Sequence, residues 1–102
     1  MRSKVAGFEW DQGNWPKCGK HGVSRAEIEH VLSGEPFVLP DRYPQDVETR
    51  FNAVGKNSEG RYIFVVFTLR ETGGKRLIRP ISARYMHQKE IENYERQKGR
   101  EA

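Results

Sequence analysis

The chain has 102 residues, of which 35% are hydrophobic, and this suits one compact domain with a modest core and no deep, fully enclosed substrate cavity. Its single cysteine excludes an intramolecular disulfide and a cysteine-rich zinc site. The sequence has no long apolar stretch, so we expect neither a signal peptide nor a membrane span. The cytoplasm is therefore the simplest compartment. The net charge of +4 comes from residues 73–102, which carry eight Lys/Arg and four Asp/Glu; this indicates an anionic partner, nucleic acid first, or only a solvated surface.

The N-terminal part of the chain predicts a strand followed by an irregular helix. Aromatic and small residues between Val5 and Asp11 favour a short strand. Pro16, Gly19 and Gly22 follow, and each disfavours a long regular helix. We therefore expect a short or broken helix that ends near Gly22.

The clearest predicted helix lies between Ser24 and Gly34. Ser24 can cap the N-terminus, and Glu27, three residues later, completes a capping box. Gly34 is a natural C-terminal stop. A buried stripe with the i, i+3, i+4 spacing is predicted from Ile28, Val31 and Leu32.

The remaining elements are predicted as strands and a final helix. A proline-rich loop contains a short extended piece at 37–39, and a strand is expected at about 48–54. The run 61–69 is almost continuously apolar, which is typical of a central strand covered on both faces. The strand 76–82 contains Pro80, which has no N–H for a ladder, so this strand should lie at an edge or contain a bulge near the proline.

The C-terminal helix begins at about His87, with Glu90 in its first turn and Ile91 and Tyr94 on one face. These elements predict a single α+β domain over residues 1–102. We expect a twisted antiparallel sheet with N-terminal helices and a C-terminal helix, all on one side of the sheet.

No metal-binding or cofactor-binding motif is present in the sequence. The three histidines, His21, His30 and His87, share no ligand spacing, and no HExxH motif or paired cysteines occur. A phosphate-loop glycine motif and a GxSxG motif are also missing. We therefore expect neither a metal nor a cofactor.

Arginines in apolar strands are the first candidates for a site. Arg50 and Arg79 lie in predicted strands, where a guanidinium needs an ionic partner or a groove open to solvent. One interpretation is an ion pair with Glu48 or another carboxylate. The other is a phosphate site, because guanidinium groups pair with phosphate oxygens in fixed geometry.

Lys20 and His21 are the second candidates, because a histidine can act as acid or base near neutral pH and His21 precedes a capped helix that favours anions. Metal-free RNA cleavage needs a base for the 2′-hydroxyl, cations for the phosphorane and an acid for the leaving oxygen. Tyr85 and Trp10 offer rings on which bases can stack. The alternatives are a local backbone contact for His21 and core packing for the aromatic rings.

The order of the motifs "FEWD", "KHGV", "RF..VG" and "IRPISARYM..KEI..YE" resembles the BrnT family of bacterial type II toxins over roughly residues 7–96. The resemblance implies a RelE-like fold and ribonuclease activity that arrests translation. It also implies a BrnA antitoxin, a heterotetrameric complex, and operator DNA bound only through the antitoxin.

Carried over by motif, the family positions are Lys20, His21, Arg50, Ser82, Ala83, Arg84, Glu90 and Tyr94. Within that resemblance, Arg79 and Arg84 are expected as phosphate clamps, and Glu90 as the residue that orients Arg84 or Lys20, as the base, or as a purely structural helix-dipole residue. Ser82, Tyr85 and Tyr94 are expected to contact RNA.

The function predicted from these residues is a metal-independent endoribonuclease of a toxin–antitoxin pair, without a membrane partner. Its catalytic set is Lys20, His21, Arg50, Arg79, Arg84 and Glu90. The alternative is a binding module that contacts nucleic acid or an antitoxin without cleavage, or a toxin that has lost its activity. The chain departs from the family pattern before Lys20, where Lys17 and Cys18 stand next to Pro16 and Gly19.

Overall fold

The computed structural model describes residues 5–41 and 48–101. The elements, in chain order, are strand β1 (Gly7–Phe8), a 3-10 helix (Lys17–Gly19), helix α1 (Arg25–Ser33), strands β2 (Phe37–Pro40), β3 (Arg50–Lys56), β4 (Tyr62–Thr72) and β5 (Lys75–Tyr85), and helix α2 (Gln88–Glu101). The α+β class is confirmed.

The strands form one five-stranded sheet in the order β1-β5-β4-β3-β2. The pairs β2–β3, β3–β4 and β4–β5 are antiparallel, whereas β1 runs parallel to β5, with Gly7 opposite Leu77. The sheet is therefore mixed, and the prediction of an antiparallel sheet was wrong for its first strand. Residue patterning indicates that a segment is extended, but it carries no information about the direction of the neighbouring strand.

The predicted helix before residue 22 is reduced to a 3-10 helix of three residues. Cys18 in this turn is buried in the core, and Gly19 lies against the ring of Trp15, where a Cβ would approach the ring to 2.7 Å. The close approach leaves no room for a side chain at Gly19. The expectation of N-terminal helices is thus correct for one α-helix only.

Helix α1 begins as predicted. The Glu27 N–H donates to Ser24 Oγ at 3.1 Å, and the Ser24 N–H donates to Glu27 Oε1 at 2.9 Å, which completes the capping box. Its apolar stripe packs on one face of the sheet, and the contact is close because Gly55 has no side chain to meet Val31. The buried residues of this layer include Ile28, Val31, Leu32, Ala53, Ile63, Val65 and Phe67.

Helix α2 lies against the opposite face of the sheet. Its Tyr94 ring contacts the ring of Tyr62, and Tyr62 alternates with the α1-facing residues Ile63 and Val65 along β4. The expectation that all helices cover one side was therefore wrong. Neither helix among the described residues is long and apolar enough to cross a membrane.

A β-bulge in β5 accommodates Pro80. The register of β4 with β5 shifts between Val66, which is opposite Ser82, and Phe67, which is opposite Pro80. The predicted bulge is confirmed, whereas the edge position is wrong because β5 lies between β1 and β4. Ile81 is the extra residue, and it reverses the alternation of side chains along β5.

Candidate functional site

The bulge decides which arginines share a face. Regular alternation would place Arg79 and Arg84 on opposite faces, because they are five residues apart. With Ile81 bulged, Arg79 lies opposite Thr68 and Arg84 lies opposite Phe64, both on the face that α2 covers in part. Arg50 of β3 is opposite Thr68 as well, because β4 lies between β3 and β5. All three arginines therefore lie on the same face.

The end of this face that is remote from Arg84 forms an open cavity of about 240 Å³, which we call the arginine cavity. Three guanidinium groups, those of Arg50, Arg70 and Arg79, line it together with Lys17 and Glu48. The cavity arises because β3, β4 and β5 each contribute one arginine at neighbouring positions. A phosphate group matches such a surface in size and in charge.

Arg79 is tied to two carboxylates. Its Nη1 donates to Glu9 at 3.0 Å and to Asp11 at 2.9 Å, and its Nη2 donates to the second Asp11 oxygen at 3.0 Å. Hydrogen bonding to Asp11 raises the pKa of Arg79, and the same bond lowers the pKa of Asp11. The side chain is only 12% exposed, so Arg79 is the most enclosed cation of the cavity's ion pairs.

The loop that carries Asp11 is held by a buried amide. Asn14 donates from Nδ2 to the carbonyl oxygens of Glu9 at 3.0 Å and Pro80 at 2.9 Å, and its Oδ1 accepts the Asp11 N–H at 2.8 Å. Asn14 is 3% exposed. It therefore fixes the position of the carboxylates relative to the bulge and to Arg79.

Arg50 and Arg70 differ in how firmly they are held. Arg50 Nε donates to Glu48 at 2.9 Å, which is the ion pair that the sequence offered as one interpretation. Arg70 lies 3.9 Å from Glu9 and 3.8 Å from Glu48, so its guanidinium bridges two carboxylates without a short contact to either. Its side chain is 48% exposed, the most open of the three arginines.

At the other end of the face, Arg84 forms a two-pronged ion pair with Glu90. Its Nη1 and Nη2 donate to the two Glu90 oxygens at 2.7 and 2.8 Å, and its guanidinium lies 4.8 Å from the centre of the Phe64 ring. Glu90 also accepts the backbone N–H of His87 at 2.9 Å, which caps α2. Hydrogen bonds from Arg84 lower the pKa of Glu90 to about 2. This geometry favours the orienting role of Glu90 over the role of a base.

Ser82 and Asn52 lie between the two ends of the face. Both flank Val66 in the register, one from β5 and one from β3. Asn52 Oδ1 is a buried acceptor without a hydrogen-bond partner among the described residues. Ser82 is small, so the backbone between Arg79 and Arg84 is not covered by a large side chain at this position.

Lys20 and His21 lie apart from the arginines. Both are exposed in the turn between the 3-10 helix and α1, and neither lines the arginine cavity. Within residues 5–41 and 48–99, neither side chain makes a hydrogen bond or an ion pair. The structure therefore does not bring this pair into contact with Arg50, Arg79 or Arg84.

The predicted aromatic contacts divide between the two faces. Tyr85 lies on the α1 face, where its hydroxyl donates to the Glu27 carboxylate at 2.8 Å and Arg61 stacks on its ring at 3.6 Å. Tyr94 lines a groove of about 450 Å³ between α2 and the sheet, on the side of Glu90. Trp10 packs edge-on against Trp15, at 5.4 Å between ring centres, as its core-packing interpretation predicted.

Arg70, Lys17 and the carboxylates Glu9 and Asp11 belong to this site, although the sequence patterns do not mark them. The predicted central strand ends at Leu69, which puts Arg70 in a turn. A strand longer by one residue would include Arg70, and Arg70 would then share a face with Thr68 because residues i and i+2 of a strand point the same way. Within the described part of the chain, no group of three His, Cys, Asp or Glu residues is arranged to hold a metal ion.

The fold and this face define a small α+β domain with a row of arginines on one side of its sheet. Residues 10–90 match the family described as the BrnT ribonuclease toxins of type II toxin–antitoxin systems. The chain therefore belongs to the BrnT family, a class of toxin whose substrate is RNA and whose partner is an antitoxin. No individual curated protein gives a significant match to the chain.

Proposed function

We propose that this protein is a metal-independent endoribonuclease that inhibits translation, and that the arginine face of its RelE-like domain is the RNA-binding surface. The observation that carries the proposal is the alignment of Arg50, Arg79 and Arg84 on one face of the sheet by the bulge at Ile81. Attack by the 2′-hydroxyl gives a pentacoordinate phosphorane whose negative charge is on its non-bridging oxygens, and fixed guanidinium groups stabilise that charge.

In this mechanism each residue has one task. Arg84, oriented by Glu90, binds the phosphate that is cleaved. Arg50 and Arg79 provide positive charge where the RNA continues along this face. His21 takes the proton of the attacking 2′-hydroxyl and then gives it to the leaving 5′ oxygen, once the RNA spans the exposed turn before α1. Lys20 supplies a further cation. Ser82 and Tyr94 contact the flanking nucleotides, whereas Tyr85, on the α1 face, takes no part in RNA binding.

The antitoxin in this proposal is a BrnA-like protein that occludes the same face. An acidic antitoxin surface would match the cationic surface and exclude RNA by direct competition. The complex is a heterotetramer, and the operator DNA contacts the antitoxin. The reaction and the inhibition both take place in the cytoplasm.

A second candidate, a module that binds RNA or antitoxin without cleavage, is favoured by one observation. Arg79 and Arg84 already have carboxylate partners at 3.0 Å or less, and His21 contacts neither. A toxin that has lost activity while keeping its partner would have the same arrangement. Cleavage separates these candidates, because all of them are expected to bind the antitoxin.

The deciding experiment is incubation of the purified protein with labelled RNA in EDTA, with and without ribosomes. The wild type is compared with His21→Ala, Arg79→Ala and Arg76→Ala; Arg76 is an exposed arginine of β5 outside the cavity. We expect cleavage by the wild type and Arg76→Ala, and its loss in the other two variants as long as circular dichroism shows them folded. A folded wild type that leaves RNA intact under both conditions contradicts the enzymatic proposal.

A further inference from the structure

Among the described residues of the arginine cavity, Arg70 has the guanidinium group that internal contacts hold least tightly. Arg79 makes three hydrogen bonds of 3.0 Å or less, and Arg50 donates to Glu48 at 2.9 Å. Arg70 makes none with the described residues, and its two ion-pair distances of 3.8 and 3.9 Å exceed hydrogen-bonding range. Its five N–H donors are therefore available to a ligand.

The two neighbouring carboxylates hold Arg70 in place without saturating it. Glu9 lies 3.9 Å from Nη1 and Glu48 lies 3.8 Å from Nη2, so the two carboxylates attract the guanidinium from different ends. A long side chain that is already localised loses less conformational entropy when it binds a ligand than a free one does. Arg70 is thus partly preorganised while its donors remain exposed.

Cations outnumber carboxylates among the described residues that line the cavity. Lys17, Arg50, Arg70 and Arg79 line it as cations and Glu48 as a carboxylate, while Glu9 and Asp11 pair with Arg79. A phosphodiester, with one negative charge, suits such a surface. The volume of about 240 Å³ accommodates a phosphate group and part of its sugar.

We propose that Arg70, with Lys17 beside it, binds an RNA phosphate that flanks the cleaved one. This inference rests on the proposed function, because it assigns one end of the arginine face to a neighbouring nucleotide of the same RNA. Arg70 is a binding residue here and takes no part in the bond-breaking step. A free phosphate or nucleotide has the same chemistry, so the test must separate it from RNA.

The test measures binding of a 2′-O-methyl RNA, which lacks the attacking hydroxyl and is not cleaved, to Arg70→Gln and to a matched control, Arg76→Gln. The two side chains have almost equal exposure, 48% and 47%, and each loses one charge. For Arg70→Gln we expect affinity to fall about tenfold and the slope of log K against log salt to decrease by about 0.7, the value for one phosphate contact on a single strand. Arg76→Gln should change the affinity and the salt slope by no more than about a third of the changes expected for Arg70→Gln.

Three further comparisons make the result decisive. Millimolar inorganic phosphate should not displace the RNA; displacement at that concentration would assign the cavity to a free anion and overturn the RNA inference. If Arg70→Gln and Arg76→Gln behave alike while both bind and cleave RNA, the inference is wrong and the proposed function stands. If the wild type neither binds nor cleaves RNA, the proposed function itself fails.

A second variant, Lys17→Gln, tests the same site without a risk that the protein unfolds. Lys17 is exposed and makes no ion pair with the described residues, so Lys17→Gln should leave thermal unfolding unchanged. It should reduce the salt slope as Arg70→Gln does, to a smaller extent because an ammonium binds phosphate as a point charge. An unchanged slope in this variant would also overturn the inference.

Discussion

Replacement of Arg84 by alanine tests whether Arg84 binds the cleaved phosphate or only stabilises the fold through its ion pair with Glu90. The substitution removes two charge-assisted hydrogen bonds to Glu90, of 2.7 and 2.8 Å, and the contact with the Phe64 ring at 4.8 Å. Both partners of the ion pair are 36% exposed, so solvent screens them. The expected loss in the free energy of unfolding is therefore only about 1–2 kcal/mol, well below the value for a buried pair.

The effect on RNA cleavage should be much larger. A fixed donor that stabilises transition-state charge is worth about 100-fold to 1000-fold in rate. A domain with typical stability of about 5–15 kcal/mol stays folded after a loss of 1–2 kcal/mol, so the rate change cannot be attributed to unfolding. We therefore expect Arg84→Ala to be folded and at least about 100-fold slower.

Urea titration followed by fluorescence of the two tryptophans gives the stability, and initial rates on labelled RNA give the activity. Glu90→Gln serves as the control, because it leaves the Arg84 charge in place and removes the carboxylate that orients it. We expect a smaller loss of rate, about tenfold, and a double variant no slower than Arg84→Ala alone. An Arg84→Ala protein that is unfolded, or one that is folded and fully active, would refute this reasoning.

Three further predictions follow from contacts elsewhere in the chain. The pKa of Glu27 is about 2 in the folded protein and about 4.5 in the unfolded chain, so the stabilisation by this carboxylate is complete above about pH 4.5 and is lost as the pH falls towards 2. Glu27→Gln should therefore flatten the acid limb of a curve of stability against pH. An unchanged limb would show that the carboxylate is not responsible. Asn14→Ala removes the three hydrogen bonds of a buried amide and should cost about 2–3 kcal/mol in urea titrations, whereas a change below about 0.5 kcal/mol would mean that water replaces the amide. Burial raises the pKa of the Cys18 thiol, so native protein should react with iodoacetamide at pH 8 at least about 100-fold more slowly than protein in urea, and equal rates would indicate that the 3-10 helix opens freely.

The sequence predicted those parts of the fold that depend on neighbouring residues. The capping box of Ser24 and Glu27 and the buried stripe that follows are local patterns, and α1 has both. The apolar run in β4 indicated the central strand for the same reason. The position of Glu90 in the first turn of α2 was also predicted, because helix-start patterns extend over only a few residues.

The sequence did not predict contacts between distant segments. Arg79 is 68 residues from Asp11 in the chain, and their ion pair exists because β1 runs beside β5 and Asn14 holds the following loop. Tyr85 was assigned to the same surface as Arg84, but β5 continues through both residues. Consecutive strand residues point to opposite faces, so Tyr85 lies with Glu27 and Arg84 with Glu90.

The sequence by itself therefore determined the types of the main elements, the family and the presence of arginines in apolar strands. Only the tertiary structure decided which arginines share a face, because one bulged residue, Ile81, reverses the alternation between Arg79 and Arg84. A bulge is fixed by the pairing of two strands rather than by the residues of one. The composition of the arginine face is for this reason a property of the assembled sheet.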